Sequence, residues 1–135
     1  MPTTSPDTEA SVAAGVQAAI AAYAQALDTG RNDDVADLFV PDGVAEIAGI
    51  ATFEGRDAIR EGYAAFAPTQ PQLHLVANTV VTSYTEEEAT AVSSLAFFQR
   101  GEAGWAVQMV GRYDDTLRHH DGAWKFQRRV TTFLP

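Results

Sequence analysis

The chain reads as an α+β domain in which helices come first and an antiparallel sheet follows. Three observations predict this. Apolar residues recur at helical spacing through the first part of the chain, and from Leu73 onward Val- and Thr-rich stretches replace them. Compact turn signals divide those stretches, the strongest being Asp121-Gly122, a two-residue hairpin signature. Helices followed by a strand meander place the helices on one face of the sheet.

Val12, Val16, Ile20, Tyr23 and Leu27 recur three or four residues apart, the period of one helix face, and Gly30 supplies a stop. Asn32 suits the cap of a second, short helix carrying Val35, Leu38 and Phe39 inward. Pro41-Asp42-Gly43 marks a turn, and residues 44–50 and 51–54 read as two short strands meeting at Gly49. A third helix begins near Gly55 with Ile59, Tyr63 and Phe66 on one face, and Pro68 and Pro71 end it. Four longer strands are expected over residues 73–84, 90–100, 105–120 and 123–133, parted by Glu86-Glu87-Glu88, by residues 101–104 and by the hairpin turn. Residues 1–8 are expected to be a disordered lead and residues 9–135 one domain without repeats or linkers.

The 135 residues are enough for one hydrophobic core. A net charge of −9 argues against nucleic acid, which needs clustered Lys and Arg, and against an anionic membrane surface. No uninterrupted apolar run reaches the ~18 residues of a membrane span. There is no cysteine, so disulfides, thiolate nucleophiles and cysteine-based metal sites are excluded. The N-terminus lacks a basic segment ahead of an apolar one, so an intracellular, cytoplasmic location is the expectation.

The last hairpin can be taken to register. A two-residue loop at Asp121-Gly122 pairs His120 with Ala123, and each further pair of numbers sums to the same value. Trp124 then faces His119, Phe126 faces Leu117, Arg128 faces Asp115 and Val130 faces Tyr113. That face is the apolar one and should meet the core, yet it carries Asp115 and Arg128. Either the two neutralise each other as a structural pair, or Arg128 lines a cavity and stabilises developing negative charge. Arg129 falls on the polar face, where a surface pair with Asp114 is the expectation.

Three further polar residues stand in segments that otherwise read as interior. On a helical wheel Tyr23 and Asp28 flank the apolar stripe about 140° apart, so both can border a cavity that the stripe roofs. From spacing alone Tyr23 is a core aromatic with a satisfied hydroxyl, and Asp28 is an acid at a helix C-terminus, where the dipole disfavours it. His74 opens a strand in Leu73-His74-Leu75-Val76. A lone strand histidine is usually structural. A carboxylate on one ring nitrogen would instead fix its tautomer and make the other nitrogen a proton acceptor. Phe39, Phe53, Phe66, Phe97 or Phe98, and Trp124 are candidates for an apolar pocket wall, joined by Tyr113 and Asp115 from the inward hairpin face. The adjacent His119 and His120 point to opposite faces of a strand and cannot chelate one ion together. Without a glycine-rich phosphate loop or a G-x-S-x-G elbow, no cofactor or metal is expected.

These residues carry a resemblance. The stretches YAQALDTGRNDDVADLFVPDG, FEGRDAIREGYAAF, LHLVANTVV and GRYDDTLRHHDGAWKFQRRV resemble the SnoaL-like group of the NTF2-like superfamily over nearly the whole chain. The resemblance implies a cone-shaped barrel: a strongly bent antiparallel sheet closed by three N-terminal helices around one cavity. It is nearest to the branch holding scytalone dehydratase, bile-acid 7α-dehydratase and hexachlorocyclohexane dehydrochlorinase. There an Asp at the end of the first helix orients a His at the start of a long strand, the places of Asp28 and His74. Tyr23 matches a Tyr five residues before that Asp, and Arg128 matches an Arg two residues after the Phe of a W-K-F stretch. The resemblance implies a cofactor-independent lyase for a hydrophobic small molecule, with a polyketide cyclase, an isomerase or a non-catalytic binding module on the same scaffold as alternatives. It also implies a homodimer or homotrimer formed through the outer sheet face, where Gln108, Val110, Thr116, Gln127 and Arg129 are expected. The chain departs from the pattern in three places. Ser93-Ser94-Leu95 offers no second active-site histidine. The isomerase base would fall near Ile47, with Glu46 the nearest acid. Asp115 and Arg128 supply only part of an epoxide hydrolase set.

Overall fold

The computed structural model describes residues 6–135. Helix α1 (Pro6–Asp28) and helix α2 (Asn32–Asp37) lead into strands β1 (Phe39–Ile47) and β2 (Ala51–Glu54). Helix α3 (Arg56–Tyr63) and a 3-10 turn (Ala64–Phe66) follow, then β3 (Gln72–Tyr84), β4 (Glu88–Gly101), β5 (Gly104–His120) and β6 (Ala123–Phe133). Residues 1–5 of the expected lead lie outside the described residues, and residues 6–8 are helical. Phe39, expected in the second helix, begins a strand instead.

The six strands form one sheet in the order β2-β1-β6-β5-β4-β3. Every neighbouring pair is antiparallel except β1 and β6, which run parallel. β2 and β3 are free edges, so the sheet is curved but open, and the expected closed barrel does not form. The helices do not precede the sheet as a block either, since α3 is inserted between β2 and β3.

Helix α1 forms where the apolar period demands it. Val12, Val16, Ile20, Tyr23 and Leu27 are all buried, and the helix lies across β3, β4 and β6. It ends where Gly30 takes a positive φ of 72°, with the Arg31 N–H donating 2.9 Å back to the Ala26 carbonyl. By length and composition Thr8–Asp28 could cross a membrane, contrary to the reading of apolar runs alone. Its buried stripe is what a core helix of this composition shows.

The strands curve because they are bulged. Register shifts interrupt β3 around Asn78, which has a φ of 57°, and part Phe97 from Phe98 in the β4–β5 pairing. The shift that matters most is in β6. Pairing from the Asp121-Gly122 turn runs as expected through Leu117 and Phe126. Gln127 is then passed over, so that Thr116 faces Arg128, Asp115 faces Arg129 and Tyr113 faces Thr131. One extra residue inverts the alternation. Arg129, expected at the surface, is 1 % exposed. Arg128, expected in the core, is exposed and pairs with Glu46 of β1.

Arg129 is accommodated on all sides. Its Nε donates to Asp115 Oδ1 at 2.9 Å and its Nη2 to Oδ2 at 3.3 Å. Its guanidinium carbon sits 3.4 Å from the ring centroid of Tyr113, 4.2 Å from that of Tyr23 and 4.7 Å from that of Phe126. Its Nη1 has no hydrogen-bond partner among the described residues. Burial pushes the Asp115 carboxyl up, against the pull of Arg129.

Removing one partner of a buried ion pair leaves the other charge uncompensated. Arg129→Met is therefore expected to lower stability by about 3–5 kcal/mol in urea unfolding. Arg128→Ala is expected to cost about 1 kcal/mol or less. Equal losses would contradict the bulged register.

Candidate active site

Asp28 ends α1 and His74 lies near the start of β3, so the site is set where the helix meets an edge strand. The Asp28 carboxylate holds the histidine at two points. Oδ1 lies 2.5 Å from His74 Nδ1, and Oδ2 accepts the His74 backbone N–H at 2.7 Å. Gln72 Nε2 donates to Oδ1 at 3.0 Å. Burial alone would raise the Asp28 carboxyl, but the hydrogen bonds from the His74 ring, its backbone N–H and Gln72 together hold it below the usual carboxylate range. An ionised Asp28 favours the tautomer with the proton on Nδ1, in which Nε2 of the neutral imidazole presents its lone pair. The Phe97 ring, directly across the β3–β4 ladder, stacks on the imidazole at 4.4 Å and 28°. Nε2 has no hydrogen-bond partner among the described residues.

His74 lines a cavity of about 340 Å³. Its walls carry six aromatic rings: Tyr23, Tyr63, Phe66, Phe97, Tyr113 and Phe133. Leu27, Ile47, Ile50 and Met109 add aliphatic surface, and Thr69, Gln72, Gln99 and Thr131 add neutral polar groups. No Asp, Glu, Lys or Arg is among the lining residues. The Tyr23 hydroxyl lies 2.6 Å from that of Tyr63. Burial raises both phenols, that of Tyr63 to about 12, so each stays protonated and able to donate.

The structure thus gathers Tyr23, His74, Phe66, Phe97 and Tyr113 on one cavity, with Asp28 behind the histidine. It leaves the other candidates outside. Phe39 is fully buried behind Tyr23, tilted against Phe126 at 5.3 Å. Phe53 packs edge-on against Tyr63 and Phe66 from behind and covers Gly62, where a Cβ would meet its ring. Trp124 packs over Gly15 of α1 and stacks on His119 at 5.3 Å. Asp115 is committed to Arg129, and Arg128 lies on the opposite face of β6. Ile47 does line the cavity, whereas Glu46 points away to Arg128. No group of three or more potential metal ligands occurs among the described residues.

Sequence reasoning overlooked Tyr63, Gln72, Gln99, Met109, Thr131 and Phe133. Gln72 was findable, because it shares strand parity with His74. Tyr63 was read as one more apolar position of its helix. The β6 residues needed the bulge.

A carboxylate with a depressed folded value contributes stability that is complete above the unfolded carboxylate range and lost as pH falls through the lower value. Asp28→Asn lacks that component. Its urea midpoint is expected to fall less than the parent's between about pH 6 and about pH 2, measured by circular dichroism.

A family profile described as SnoaL-like domain matches residues 8–130. No curated protein gives a significant match. Among solved structures, a protein of unknown function from Mycobacterium tuberculosis is 26% identical, with 98% of this chain and 78% of that chain covered at a TM-score of 0.87. A protein from Novosphingobium aromaticivorans provisionally assigned as a scytalone dehydratase is 26% identical, with 97% and 89% covered and a TM-score of 0.86. An NTF2-like protein with a cystatin-like fold from the same organism is 25% identical, with 89% and 80% covered and a TM-score of 0.79. These likenesses have the fold described above in common, and the profile spans most of the sequence: the chain belongs to the SnoaL-like domain family, on the NTF2-like fold.

Proposed function

We propose that the chain is a cofactor-independent lyase of the dehydratase type, acting on a hydrophobic small molecule with His74 as general base. The observation that carries this reading is the two-point hold of Asp28 on His74 at the wall of an apolar cavity. Fixing both the ring and its backbone sets the direction of the Nε2 lone pair before any ligand enters, which is what proton abstraction requires. In the proposed step Nε2 takes a proton from a carbon next to an activating group. The C–H electron pair becomes the new double bond, and the leaving group departs with its own bonding pair. When that group is hydroxide, it takes up the proton held by His74 and leaves as water, so the enzyme ends unchanged. Tyr23 hydrogen-bonds the carbonyl or the leaving hydroxyl. Arg128 is given no part, because its side chain is not at the cavity. The likeness to the provisionally assigned scytalone dehydratase supports the reaction class, and an intracellular setting belongs to the same reading.

The outer sheet face is read as a contact between copies of the chain. Leu73, Leu75, Val107 and Val110 are all largely exposed there. Leu73, Phe98 and Val107 form one cross-strand row, and Leu75, Ala96 and Val110 the next. Arg129, expected on this face, is inside instead.

Turnover is measured with a panel of hydrophobic β-hydroxy ketones, following enone absorbance and loss of water by mass. His74→Ala is expected to lose roughly 10²–10⁴-fold in rate, and Asp28→Asn to lose rate with it, while both keep the parent's circular dichroism. No turnover by the parent, or unchanged rates in His74→Ala, would sink the lyase reading. Sedimentation at micromolar concentration is expected to show a dimer or trimer that Val107→Lys dissociates. A monomeric parent overturns that contact.

A further inference from the structure

We propose that Tyr63, together with Tyr23, forms a binding site for an uncharged ligand oxygen, so that the cavity takes neutral carbonyl or hydroxyl compounds and rejects carboxylates of the same shape. The inference rests on the reading of this cavity as the ligand site, and it adds a residue and a substrate property to that reading.

The argument begins with a proton count. Two phenols share one hydrogen bond at 2.6 Å, and that bond uses one of their two protons. The second O–H has no acceptor among the described residues. Tyr23 is 3% exposed and Tyr63 1%, so bulk water does not reach them freely, and a buried donor without an acceptor is costly. Both residues line the cavity, and so does Tyr113, whose hydroxyl makes no side-chain hydrogen bond among the described residues. The remaining proton therefore calls for an acceptor inside the cavity. The two phenols are also rigid. Tyr23 is held edge-on by Phe39, Tyr113 and Phe126, and Tyr63 by Phe53 and Phe66, so neither hydroxyl can swing away to find another partner.

Charge then decides what kind of acceptor enters. No Lys or Arg lines the cavity among the described residues. Arg129 lies beneath the rings of Tyr113 and Tyr23, with its charge matched by Asp115. On the far side a formal negative charge, the Asp28 carboxylate, stands behind His74. A carboxylate or phosphate entering here would give up its hydration and meet a like charge and the His74 Nε2 lone pair, with phenol donors but no fixed cation to offset it. A ketone or hydroxyl oxygen loses far less hydration and accepts the free phenol proton at full value. Phenols held protonated by burial remain donors across the physiological range, which agrees with this assignment.

The test uses three probes of one shape: 2-acetylnaphthalene, 2-naphthoate and 2-ethylnaphthalene, titrated by calorimetry at neutral pH. The ketone is expected to bind about five- to ten-fold tighter than the hydrocarbon, the worth of one net hydrogen bond, and the carboxylate weakest of the three. Tyr63→Phe is expected to remove most of the ketone's advantage while leaving the hydrocarbon's affinity in place. Tyr23→Phe reads the other half of the pair and serves alone if Tyr63→Phe does not fold. The inference is overturned if the carboxylate binds as well as the ketone, if no probe binds, or if the folded variant weakens ketone and hydrocarbon by the same factor. These affinities are read without turnover, so they stand or fall apart from the elimination assay.

Discussion

Asp28 is where helix and sheet are joined. Its carboxylate accepts from the His74 backbone, the His74 ring and the Gln72 amide, and so ties the last residue of α1 to the free edge strand β3. β3 has no strand on its outer side, and its inward residues alternate with exposed ones. The carboxylate gives that edge a fixed position relative to the helix. Once it is fixed, the aromatic stripe of α1 and the inward faces of β4, β5 and β6 meet on one side of the imidazole, and the space left between them is the cavity. The same interaction that joins helix and sheet at this corner orients the one imidazole that lines the cavity among the described residues.

The second organising element is the buried pair of Asp115 and Arg129, which lies one row deeper in the sheet than Tyr113 and Thr131. It divides the interior into two parts. On one side Leu117, Phe126 and Phe39 pack as a conventional core, all three fully buried. On the other side the tyrosines stand with rings over the guanidinium and hydroxyls toward open space. The charge is used up within the protein, so its effect on the cavity is to hold rings in place and not to attract anions.

The legible part of this protein was whatever local period or local chemistry decides. The stripe of α1, its stop at Gly30 and the six strands follow from spacing and residue type, whereas the meeting of Asp28 with His74 was implied by the family resemblance and not by spacing. The hairpin register was also legible, for as long as the strands stayed regular. It gave the four pairs nearest the turn and failed at Gln127, where one residue is passed over. Nothing in Phe126-Gln127-Arg128-Arg129 marks which arginine turns inward, because both neighbours are the same residue type. The choice is made by tertiary fit: either register puts a guanidinium opposite Asp115, and the bulged one puts that of Arg129 there, against the rings of Tyr113 and Tyr23. Trp124 and Phe53 were misjudged for a related reason. Their rings are spent against Gly15 and Gly62, and a glycine in a helix does not announce what will cover it.

The bulge in β6 separates two things that a regular strand ties together, its length and its facing. In a regular strand, losing one residue turns over every side chain beyond it. In β6 both Gln127 and Arg128 lie between the inward Phe126 and the inward Arg129. A chain shortened by one residue at that point would keep Phe126, Arg129 and Thr131 inward and would lose only the local kink. A one-residue deletion there acts on curvature, leaving the identity of the wall residues unchanged. A lineage could thus reshape the cavity through its backbone, with the residues that face into it held constant.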